Sequence, residues 1–129
     1  MEDAKEIAKM VHYFFDSYAV IELLEGNSLY SRFKEEKVII TIFNLAEIYW
    51  HFLLKDEDVA EEVFNKFHDS VVEIDDETLK EAIKFRKTHK KQDLSYADAI
   101  GYIYAERHNM KFLTGDKEFQ NMGNVEFVK

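Results

Sequence analysis

The chain has no cysteine, no proline, four glycines and one tryptophan among its 129 residues. Without cysteine there is neither a disulfide framework nor a thiolate metal site, which fits a cytoplasmic protein. Without proline, tight turns fall to glycine, asparagine and aspartate. No apolar run nears the roughly 18 residues a membrane-spanning helix needs, so no membrane is expected. The opening MEDAKEIAKM also lacks the hydrophobic core of a signal peptide. Basic residues are outnumbered 17 to 26, for a formal charge of −9. That argues against holding nucleic acid by overall charge, since such binding rests on Lys and Arg neutralising phosphates. It leaves open nucleic acid bridged to the protein by divalent cations.

What is present points to one α/β domain. Apolar residues make up 47% and aromatics 15%, ample for a single core. β-rich apolar runs at 11–15 (VHYFF), 38–41 (VIIT), 71–74, 111–114 and 125–128 predict five buried strands. Helical spacing fills the intervals: 17–25, a short helix at 28–35, one from Asn44, one through Val59, Val63 and Phe67, one through Leu79, Ile83 and Phe85, and one from Ser95. The alternation predicts βαβ units and a five-stranded parallel sheet flanked by helices. Residues 1–10 have helix-forming composition and are read as an N-terminal extension, with the domain over 11–129.

In such a fold the strand ends and the starts of the following helices meet on one rim, where ligands bind. Four acids fall at such places: Asp16, Glu47, Asp98 and Asp116. Each has a structural explanation. Asp16 can cap a helix at Ser17, and Glu47 and Asp98 stand three residues after Asn44 and Ser95, as in capping boxes. Asp116 follows Gly115 in a turn. Helix caps, however, scatter over both rims of a sheet, whereas these four gather on one. Crowded carboxylates need protons or cations to compensate them. Hard oxygen ligands of this kind suit Mg²⁺ or Mn²⁺, which bind phosphate oxygens and activate water for phosphodiester cleavage.

The stretches FFDSYAVIELL at 14–24, TIFNLAEIYW at 41–50, LSYADAI at 94–100 and FLTGDKEF at 112–119 resemble, in this order, the PIN domain. The resemblance is nearest to the VapC-type toxins of toxin–antitoxin pairs, and covers nearly the whole chain. It implies a five-stranded parallel sheet, metal-dependent endoribonuclease activity on RNA, a small antitoxin partner and a homodimer. Asp16, Glu47, Asp98 and Asp116 match the metal-binding catalytic acids, with Glu118 a candidate to share the role of Asp116. Ser17 and Thr114 match hydroxyls that help orient the site. The segment before His12 is longer than in most relatives, and Gly101 to Tyr104 replaces an alanine-rich stretch.

Other features carry less. The five histidines show no paired ligand spacing for zinc. The one dense basic run, Lys84, Arg86, Lys87, Lys90 and Lys91, is either a solvated face or an RNA backbone contact. Trp50, with Tyr49 and Phe52, reads as core or interface rather than as a base-stacking platform. Aromatics such as Tyr30, Phe33 and Trp50 exceed what a small sheet covers, the basis for expecting a dimer. Two competing readings are a catalytically silent PIN-like module that binds protein or RNA, and a phosphoacceptor receiver domain. The second wants paired acids after the first strand and a lysine after the last. Here Asp16 stands alone and Lys129 comes too late.

Overall fold

The computed structural model describes residues 11–129, so the expected leading helix lies outside the described residues. Three apolar runs form strands β1 (Tyr13–Phe15), β2 (Lys111–Thr114) and β3 (Val125–Phe127). All are parallel, in the order β1-β2-β3, with Phe14 opposite Phe112 and Phe112 opposite Val125.

The five-stranded sheet expected from sequence is therefore corrected to three strands. Residues 38–41 and 71–74 run alongside, but pair through a single parallel bridge, Ile40 to Val71. Phe15 N donates to Ile39 O at 2.9 Å, which ties the first segment to β1, and Val72 N to Ile40 O at 2.8 Å, which ties the second to the first, both without a ladder. The first is cut short because Thr41 is already the N-cap of a helix. The second has only that one-residue neighbour to pair with.

The helices are α1 (Ser17–Leu24), α2 (Ile42–Leu53), α3 (Glu57–Phe67), α4 (Asp76–Thr88) and α5 (Tyr96–Arg107), with a 3₁₀ helix at Ser28–Phe33. Successive strand side chains point to opposite faces. Phe15 and Leu113 pack against α1, α2 and α3 through Val20, Leu45, Ile48 and Phe67. Phe14 and Phe112 pack against α4 and α5 through Ala82, Ile100 and Ile103.

Helix α5 is buried nearly all round, from Ala97 to Ala105 apart from Asp98. Gly101 permits this, since a Cβ there would lie 2.5 Å from Cε1 of Phe14. Helix α4 presents Thr78 and Ala82 inward, not the expected Leu79 and Ile83, each of which is 40% exposed. The expected aromatic surplus shrinks as well, because Tyr30, Phe33 and Phe52 are buried, whereas Trp50 is exposed.

Candidate active site

The chain delivers the four acids from four places. Asp16 follows β1 directly, Glu47 lies in the second turn of α2, Asp98 in the first turn of α5, and Asp116 two residues past β2. All four line one cleft of about 690 Å³, together with Ser17, Tyr18, Trp50, Ser95 and Lys117. Glu118 is exposed and does not line it.

Asp16 occupies the N-cap position of α1, yet its side chain makes no capping bond. It accepts instead from Thr114 Oγ1 at 2.7 Å, across the β1–β2 pair. The same hydroxyl accepts from Asp116 N at 3.0 Å, so Thr114 joins the two acids. Glu47 has no capping role either. The true N-cap of α2 is Thr41, and its capping-box partner is Asn44, so the helix begins earlier than its apolar spacing indicated.

Glu47 Oε1 accepts from Ser17 Oγ at 2.6 Å. Ser17 Oγ in turn accepts from Asn44 Nδ2 at 3.0 Å, while Asn44 Oδ1 accepts from Thr41 N at 2.9 Å. Asn44 is thus a buried positioning residue that sequence reading missed. The T-x-x-N spacing at 41–44 was the available signal.

The structural explanations do hold for the other two. Asp98 Oδ2 accepts from Ser95 N at 2.9 Å and Asp98 N donates to Ser95 Oγ at 3.0 Å, a complete capping box. Asp116 Oδ1 accepts from Glu118 N at 3.0 Å, holding a turn.

The electrostatics are those of uncompensated acids. Burial pushes the Asp16 carboxyl up to about 8, and the charges of Asp98 and Glu47 add to it against the Thr114 hydrogen bond. Burial also raises Glu47, opposed by Ser17 and helped by Asp98. Asp98 is raised by burial and by Asp116, against its bonds to Ser95. Among the described residues, none of the four forms an ion pair with Lys, Arg or His.

As the side chains stand, no group of three or more His, Cys, Asp or Glu among the described residues is gathered closely enough to hold a metal ion. Each carboxylate instead leans on its own hydroxyl or amide partner. The donor set nonetheless fits a hard divalent cation: all oxygen, and unpaired with any cationic side chain among the described residues.

The basic run lies outside the cleft. Lys84, Lys87, Lys90 and Lys91 are exposed. Arg86 has a structural task, donating from Nε to Leu94 O at 2.8 Å with its guanidinium 4.4 Å over the Tyr96 ring. It fastens the end of α4 to the start of α5.

A family model described as the PIN domain matches residues 13–125. The chain belongs to the PIN domain family. No curated protein matches it by sequence. Solved PIN-like structures agree in fold. A toxin–antitoxin complex from Klebsiella pneumoniae superposes with a TM-score of 0.68 at 19% identity, over 89% of this chain and 95% of that one. VapBC2 from Rickettsia felis, bound to a DNA fragment from its promoter, gives 0.66 at 15% identity, over 92% and 100%. VapBC-1 from nontypeable Haemophilus influenzae gives 0.65 at 17%, over 92% and 98%. Among the described residues of this PIN domain, no helix is long and apolar enough to cross a membrane.

Proposed function

We propose that this PIN domain is a Mg²⁺- or Mn²⁺-dependent endoribonuclease, the toxin of a VapBC-type toxin–antitoxin pair. The observation that carries the reading is the convergence of Asp16, Glu47, Asp98 and Asp116 on one cleft without a cationic side chain paired to any of them. These four would hold the cation. When bound, it supplies a polarised scissile phosphate and a water of lowered pKa.

The protein's own groups prepare the site. Thr114 fixes the Asp16 carboxylate, and the Asn44–Ser17 pair aims Glu47. A cation held there would favour the ionised Asp16 carboxylate, because a neighbouring positive charge opposes the burial penalty that raises it. Glu118 has no part in this reading. That solved relatives are toxin–antitoxin complexes supports a small antitoxin protein as partner. A homodimer, a cytoplasmic location and residues 1–10 as an extension of the domain belong to the same proposal.

One observation favours a silent binding module instead. The Ser95–Asp98 capping box gives Asp98 a sufficient structural role. Calorimetric titration of Mn²⁺ into the wild type and Asp98→Asn separates the two. The nuclease reading predicts binding to the wild type, weakened about tenfold or more in the variant, and RNA cleavage that stops with chelator. A folded wild type that takes up no divalent cation at millimolar concentration overturns it.

A further inference from the structure

One wall of the cleft is apolar and faces solvent. Trp50 follows Glu47 by three residues on α2, and Leu54, the C-cap residue of that helix, follows Trp50 by four, so all three share one side. Trp50 is 61% exposed and Leu54 67%, although both line the cleft that holds the acids. Among the described residues no ring or cation stacks on Trp50, whereas His51 beside it rests against Phe52. On α1, Tyr18 lines the same cleft and is 41% exposed. Its ring lies close over Gly115, where a Cβ would come within 2.4 Å of Tyr18 Cε1. Two exposed aromatic residues, one on α1 and one on α2, therefore accompany the carboxylates.

Charge explains little of how a polyanion would settle there. The chain carries −9, the cleft lining sets a single lysine, Lys117, against four acids, and the basic run lies outside it. Neutral stacking explains more, because every base offers a π face and stacking is indifferent to the phosphate's charge. We infer that Trp50, assisted by Tyr18, is the base-stacking platform for nucleotides flanking the scissile bond. The inference rests on the nuclease reading for its substrate but names a different determinant. Base-paired RNA has its bases stacked within the helix and would gain nothing from this wall.

Trp50 is the chain's one tryptophan, so its fluorescence reports the contact directly. The probe is a short single-stranded oligouridylate, compared with an abasic strand of equal length and with a hairpin of fully paired RNA. Binding is titrated with Mn²⁺ on the Asp16→Asn protein, and cleavage kinetics are measured on the wild type, Trp50→Ala and Trp50→Phe. Stacking predicts quenching by the oligouridylate and little by the abasic strand or the hairpin. It also predicts a KM raised about tenfold in Trp50→Ala with kcat within about threefold of wild type, and most of the loss restored in Trp50→Phe.

Equal quenching by the abasic strand, or an unaltered KM in Trp50→Ala, overturns the inference while the nuclease reading stands on wild-type cleavage. Quenching by the oligouridylate from a wild type that cleaves nothing upholds the platform and removes the nuclease. Quenching by a basic peptide helix alone, with none from RNA, assigns the wall to a protein partner and overturns the inference.

Discussion

Asp16 concentrates the physics of the site. A buried aspartate hydrogen-bonded to one hydroxyl, with two further acids adding repulsion, holds its proton to about 8 rather than the ordinary 3.8. Between those values the folded protein keeps a proton that the unfolded chain has lost. Stability therefore falls as pH rises through that window and levels off above it. The raised Glu47 and Asp98 carboxyls act in the same direction, while Glu25 and Asp75, both lowered, act at the acid end. In metal-free protein the urea midpoint is expected to fall between about pH 5 and pH 8, and Asp16→Asn should flatten that decline. A wild-type midpoint that rises over the window contradicts it. All four acids were legible because strand ends and helix starts place them on one rim. Asn44 was not, because apolar spacing in 45–53 shows where a helix continues, and only the capping bond shows that it starts at Ile42.

Among the elements, α5 is the one on which the sheet depends most. The start of YADAIGYIYAER at Ser95 was read correctly, and the helix ends before Asn109, which adopts a positive φ. Asp93, Asn109 and Asn124 take left-handed turns that a chain with only four glycines must assign elsewhere. Gly101→Ala should push α5 from Phe14 and Phe112, at a cost of about 1–3 kcal/mol measured by urea unfolding. An unchanged midpoint would show that the helix has room to shift. The two missing strands were illegible for a plain reason. VIIT and residues 71–74 have the composition of buried strands, and their neighbours are short enough that only Ile40 and Val71 find each other. For α4, apolar spacing proposed Leu79 and Ile83, but packing against α5 selected the small Ala82, with Phe85 stacked 5.1 Å from Tyr102.

At the scale of the whole molecule, two buried layers clasp a narrow sheet, and the acids emerge together at its carboxyl rim. Sequence order alone brought Asp16 and Asp98 to that rim, but it could not say which aromatics would remain exposed beside them. Trp50 was read as core or interface, and lies in solvent at the cleft. The central claim is that the acids are joined for catalysis and not for capping. Asp16→Asn and Asp98→Asn keep side-chain size and remove one negative charge each. The decisive measurement is Mn²⁺-dependent cleavage of single-stranded RNA by both variants, with urea midpoints taken on the same preparations. Cleavage should fall at least about 100-fold, on the order of 3 kcal/mol in the barrier, with folding retained or improved. Variants that lose about 1 kcal/mol of stability and cleave as well as the wild type would contradict the account.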